Sequence, residues 1–69
     1  MLKLDTKVTV DYLNGFNLSP IFSNSDYKIW ECNHGYILFN KKGEYFVMTK
    51  AEYNIFLSQY DHNNILPMG

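Results

Sequence analysis

The chain has no arginine, one alanine and one cysteine among its 69 residues. Without arginine there is no planar fork for bidentate recognition of phosphate or guanine, and the six lysines supply only point charges. The lone Cys32 excludes an intramolecular disulfide, the staple on which small secreted domains depend. No apolar run exceeds four residues, as in Tyr36-Ile37-Leu38-Phe39, far short of a membrane span. Met1 to Lys7 alternates charged and apolar residues and holds no apolar signal-peptide core. A cytoplasmic, reducing setting is expected. Eight asparagines beside so little alanine and arginine point to an AT-rich coding genome, as in some bacteria and many of their phages.

What the chain does have is aromatic bulk. Twelve aromatics make up 17% of the residues, and 46% are apolar, against 19% charged and a net charge of -1. That composition describes one globular domain rather than a disordered polyelectrolyte. Aromatics supply the large buried areas that a core this small needs. A domain of this size still buries only about 60% of its unfolded surface, so its stability is marginal.

Leu2, Leu4, Thr6, Val8, Val10 and Tyr12 alternate with polar residues, which reads as a half-buried strand over about 2–13. A helix over Thr6 to Asn14, ended by Gly15, is the alternative, but it would have to carry Thr6, Val8, Thr9 and Val10, all stiff at χ1. Asn14-Gly15 suits a type I′ turn into a second strand over about 16–19, closed by Ser19-Pro20. Ser23 to Asp26 reads as a polar loop. Three further strands are expected over about 27–32, 36–40 and 44–48, joined at Asn33-His34-Gly35 and Lys41-Lys42-Gly43. A type I turn with a G1 bulge at Gly43 sets Asn40 opposite Glu44, Phe39 opposite Tyr45 and Ile37 opposite Val47.

Thr49-Lys50-Ala51-Glu52 is a capping box, with Met48 and Tyr53 as its hydrophobic staple. Tyr53, Phe56, Leu57 and Tyr60 form one stripe of a helix over about 50–61, which Asn63 or Asn64 can end. An apolar tail over 62–69 is expected to dock back onto the domain. The fold expected is therefore α+β: one domain over 1–69, an antiparallel sheet of four to five short strands, meander or open-barrel in form, with a C-terminal helix on one face.

The register gives the central hairpin two apolar faces, Ile37, Phe39, Tyr45 and Val47 on one and Tyr36, Leu38, Phe46 and Met48 on the other. The helix can cover only one of them. The other calls for the N-terminal segment as a second layer, a second copy of the chain, or a target protein. This surplus makes self-association as a homodimer an expectation.

Catalytic signals are poor. Cys32 and His34 are two apart, as a nucleophile and base can be, yet no third group is placed to orient the imidazole. Cys32, His34 and His62 lack zinc-ligand spacing, and Asp26, Glu31 and Glu44 are scattered as solvated acids are. Gly15, Gly35 and Gly43 fall at turns, so no phosphate loop is present. No catalytic residue, cofactor or metal is expected, and no enzyme. Single-stranded nucleic acid could stack on Tyr27, Trp30, Tyr36 and Tyr45 beside Lys28, Lys41 and Lys42. The net negative charge and the pI near 6.0 argue against it. Protein binding ranks first, because interface hot spots favour Trp and Tyr. The expected partner-binding residues are Trp30, Tyr36, Tyr45, Tyr27, Lys41 and Lys42. The function expected is a small non-enzymatic module that occludes a host or other cellular protein, of the kind phages and mobile elements encode. Nucleic-acid binding is the alternative.

Overall fold

A computed structural model describes the backbone of residues 1–65 and the side chains of residues 1–59. Five strands and two helices follow in the order β1 (Leu2–Leu4), α1 (Thr6–Gly15), β2 (Phe22–Ser23), β3 (Tyr27–Cys32), β4 (Gly35–Asn40), β5 (Tyr45–Met48) and α2 (Lys50–Ile65). The strands form one open antiparallel sheet in the order β1-β5-β4-β3-β2. The α+β class with a C-terminal helix is as the residue pattern implies. The pairings Ile37 with Val47 and Phe39 with Tyr45 also hold.

The N-terminal segment departs from the strand expected over 2–13. Only Leu2–Leu4 pairs, and α1 follows at once. Caps at both ends decide this. Asp5 takes the N-cap, its carboxylate accepting from the Val8 amide at 3.0 Å. At the other end Asn17 adopts a left-handed φ of 51°. Leu18 N–H then donates to the Leu13 carbonyl and Asn17 N–H to the Asn14 carbonyl. This is the two-bond Schellman closure, with Leu18 packed toward the cluster that holds Leu13. Each cap contributes about 1 kcal/mol, against tenths for each β-branched residue, so the stiff Val and Thr positions do not prevent the helix. Asn14-Gly15 is accordingly a helix end, not a hairpin turn. Nor does 16–19 form a strand; the next pairing comes beyond Pro20, at Phe22–Ser23.

The two apolar faces of the hairpin now have separate covers. Leu13 of α1 packs with Trp30, Ile37 and Tyr45 on one face, flanked by Leu4, Val10 and Phe39. On the other, Ile29, Leu38 and Met48 pack under Tyr53 and Phe56 of α2. Part of the face left over by α2 is thus covered within the chain, by the segment sequence periodicity assigned to a strand.

The α2 cap matches its motif. Glu52 N–H donates to Thr49 Oγ1 at 3.1 Å, and Thr49 N–H donates to Glu52 Oε1 at 2.9 Å. Tyr53 and Met48 meet in the same cluster, as a staple requires. The helix runs through Asn63 and Asn64 to Ile65, so neither asparagine ends it. Residues 62–65 of the expected tail are helical. Its last four residues, and the side chains of Tyr60 and His62, lie outside the described residues.

Asn40 organises the β4–β5 turn. Its Oδ1 accepts from the amides of Lys42 and Glu44, both at 3.0 Å, and its Nδ2 donates to Glu44 Oε1 at 3.1 Å. Gly43, at φ 85°, supplies the left-handed residue of the bulge. Replacing Asn40 by Ala frees two amides and is expected to cost about 1–2 kcal/mol. In a domain of this size that lowers Tm by roughly 5–10 °C. An unchanged melting curve would show that the turn closes without its side chain.

The Asn40 amide, and next the Lys3 ammonium 3.3 Å away, hold the Glu44 carboxyl below its usual 4.5. A depressed folded-state pKa stabilises the fold fully above the usual value, and that contribution is lost as pH falls through the depressed one. Tm is therefore expected to drop more steeply below about pH 4.5 in the native chain than in Glu44→Gln. Parallel acid titrations of the two would refute this. Exposure of the pair keeps the effect small.

Both sheet edges are short. β1 has three residues with Lys3 at its centre, and β2 has two and starts just beyond Pro20. These are the devices that stop sheets from extending.

Candidate functional site

The six expected partner-binding residues do not form one patch. Trp30 and Tyr45 are 8% and 9% exposed, their rings 6.2 Å apart beneath α1. Tyr45 also packs on Phe39, with centroids 4.6 Å apart. On the opposite face Tyr36 stacks on Tyr53 at 3.9 Å, and Tyr27 meets Phe56 edge-to-face at 5.1 Å. Those four aromatics hold the helices to the sheet. Lys41 and Lys42 are exposed beside Tyr27 and Asn40, where Lys41 pairs with Asp26 at 3.5 Å. Only Tyr27, Lys41 and Lys42 come together, and an acid accompanies them.

The free apolar surface lies elsewhere. Val8, Tyr12 and Phe16 recur every four residues along α1, so they form one row. Val8 and Phe16 are each 67% exposed, and the Tyr12 and Phe16 rings meet 4.8 Å apart, tilted by 48°. Thr9 and Leu13, one position further round, are buried and seat the helix. Leu2, 72% exposed, stands on β1 opposite Val47. Between this row and the sheet is an open cavity of about 260 Å³. Leu4, Val8, Tyr12, Ile37 and Val47 give it apolar walls, and Cys32 and His34 lie at the β3–β4 end. α1 thus covers its face incompletely, leaving a trough along one flank.

Thr9, Tyr12, Cys32 and His34 are the polar side chains of this trough. Thr9 Oγ1 donates to the Asp5 carbonyl at 2.7 Å. Burial pushes the Cys32 thiol up, partly offset by a hydrogen bond from the Tyr12 hydroxyl and reinforced by nearby Glu31. The Tyr12 phenol is raised in turn, chiefly because a charged Cys32 would stand beside it. At neutral pH both are protonated, and a raised thiol pKa is the opposite of what a cysteine nucleophile needs.

The chain matches no family model, no curated protein and no solved structure. The geometry alone therefore speaks for the site. Among the described residues no three His, Cys, Asp or Glu side chains gather as metal ligands would. No described helix is long and apolar enough to cross a membrane.

The α1 row was missed because its residues were set on an alternating strand. Positions 8, 12 and 16 carry the i, i+4, i+8 signature of a helix face, which becomes visible only once α1 is known to be helical. Ile55 of α2 is also exposed, but single apolar residues are ordinary on protein surfaces.

Proposed function

We propose that this chain is a small non-enzymatic module that binds another protein through the exposed flank of α1 and acts by occluding that partner's surface. The observation that carries this reading is the apolar row Val8, Tyr12 and Phe16 beside a largely apolar trough. Val8 and Phe16 are each 67% exposed, and clustered apolar side chains left in solvent often mark an interaction site. The interface moves from the aromatics of the sheet to those of the helix, since Trp30 and Tyr45 support α1 from beneath. A role as a phage- or mobile-element-encoded modulator of a host protein fits the small size and AT-rich composition, and belongs to the same proposal.

Single-stranded nucleic acid is the weaker reading. Its stacking platform would require the faces of Tyr27, Trp30, Tyr36 and Tyr45, which pack against other rings of the chain.

The test is affinity capture from the expressing cell by the native chain and by Phe16→Lys, whose surface position leaves the core intact. One protein should be retained after nuclease digestion and from about 50 to 200 mM salt. Phe16→Lys should weaken its binding by about tenfold or more. Release by nuclease would turn the reading to nucleic acid, and equal capture by the variant would remove the interface from α1.

A further inference from the structure

Asn14 is the one asparagine in the chain followed by glycine, and the pair closes α1 just before the left-handed Asn17. Both residues are exposed, and nothing lies within 4 Å of where a Gly15 Cβ would stand. The Asn14 side-chain amide makes no hydrogen bond among the described residues. Asn24 and Asn40 are held instead: Asn24 Oδ1 accepts from the amides of Asp26 and Tyr27, and Asn40 Oδ1 from those of Lys42 and Glu44.

A free asparagine amide beside a glycine nitrogen is set up for an intramolecular reaction. Bonding the Gly15 nitrogen to Asn14 Cγ closes a five-membered ring, and glycine has no Cβ to hinder the approach. The folded helix blocks this step. A helical ψ of about −42° holds the Gly15 nitrogen off the line of attack, and its N–H belongs to the i→i−4 ladder. The reaction must therefore pass through opening of the last turn of α1. Two bonds oppose that opening, from Asn17 N–H to the Asn14 carbonyl and from Leu18 N–H to the Leu13 carbonyl.

We propose that Asn14-Gly15 is a self-modification site, where Asn14 converts to aspartate and isoaspartate at a rate set by the end of α1. The Gly15 nitrogen bonds to Asn14 Cγ, the Cγ–Nδ2 bond breaks, and ammonia leaves with the amide proton. Water then opens the succinimide. Cleavage of the new Cγ–N bond gives aspartate. Cleavage of the bond to the main-chain carbonyl carbon gives isoaspartate, with the chain rerouted through the side chain. Either product places a negative charge at the C-terminal end of α1, where the helix dipole opposes it. Isoaspartate also lengthens the backbone by one carbon, which spoils the spacing that the Asn17 and Leu18 bonds need. Conversion thus loosens the end of the helix that seats Leu13 and carries Phe16. It does so whether or not α1 binds a partner.

The test ages the full chain in mildly alkaline buffer, with and without urea. Products are mapped by peptide mass spectrometry and by isoaspartyl methyltransferase labelling. Conversion is expected first at Asn14, and about tenfold or more faster in urea than in the folded chain. Gly15→Ala, whose added carbon meets nothing, should slow it about tenfold even in urea. Asn17→Ala, strained at φ 51°, should speed conversion of the folded chain about fivefold and leave the urea rate unchanged. Asn17→Gly, at ease at that φ, should slow the folded chain about twofold, so the test survives if the alanine variant fails to fold. Earlier conversion of another asparagine, or no conversion in urea, would overturn the site. Equal rates with and without urea, or folded-chain rates indifferent to residue 17, would overturn control by the end of α1.

Discussion

Trp30→Ala is expected to unfold the protein rather than merely weaken a partner. Trp30 stands at the centre of the face under α1, packed with Leu13, Ile37 and Tyr45. Truncating a buried Trp costs about 3–5 kcal/mol, through lost transfer free energy and the cavity left behind. Natural domains hold only about 5–15 kcal/mol in total, and one this small lies toward the low end. Most of the stability should therefore go with this side chain. Far-UV circular dichroism through a urea titration checks it, with Trp30→Phe as the milder control that keeps a ring beside Tyr45. A Trp30→Ala variant that melts like the native chain would show that α1 is not seated on this residue. It would also return Trp30 to the list of surface anchors.

Gly35→Ala should rank second, at about 3 kcal/mol. Gly35 opens β4 opposite Cys32, with φ at 152°, where side chains are strained. A Cβ there would also lie 2.5 Å from the Met48 carbonyl oxygen, a backbone atom that cannot swing aside. Met48 closes β5 just before the Thr49 cap of α2, so the clash would loosen both the β4–β5 ladder and the start of that helix. Gly43→Ala provides the internal control. Its φ of 85° is strained for alanine, but nothing lies within 4 Å of the added carbon. That variant should lose only about 1–2 kcal/mol, the left-handed term alone. Equal losses at the two turns would mean that the approach to Met48 relaxes without cost.

The C-terminal two-thirds of the fold was legible because its signals are local. Gly43 selects its turn, Asn40 and Glu44 set the register from it, and Thr49 with Glu52 announces a helix within four residues. The N-terminal third was not, for two physical reasons. The alternation from Leu2 to Tyr12 fits both a strand and a helix, since every fourth residue is also every second pair. The deciding bonds, from Leu18 back to Leu13 and from Asn17 back to Asn14, depend on an asparagine in a left-handed conformation, which short-range patterning does not reveal. Misreading α1 also misplaced the candidate site. Aromatics at Trp30, Tyr36 and Tyr45 looked surplus only while the segment that covers Trp30 and Tyr45 was set in the sheet, and while α2 was not seen to seat Tyr53 on Tyr36. The apolar row on the outside of α1 could not be recognised before the helix itself was.

The placement of β1 beside β5 gives the N-terminal third a looser tether than the rest. Leu2 pairs with Val47 and Leu4 with Tyr45 in a ladder of three residues, closing a loop of roughly forty residues. The β3–β4–β5 meander is joined by short turns and pairs over longer stretches. Amide exchange should accordingly be fastest in β1 and α1 and slowest at Ile29 and Leu38, with local opening of the N-terminal third preceding global unfolding. A partner that grips α1 would hold that clasp shut. Its binding would then be recorded as slowed exchange along β1 and β5, well beyond α1 itself.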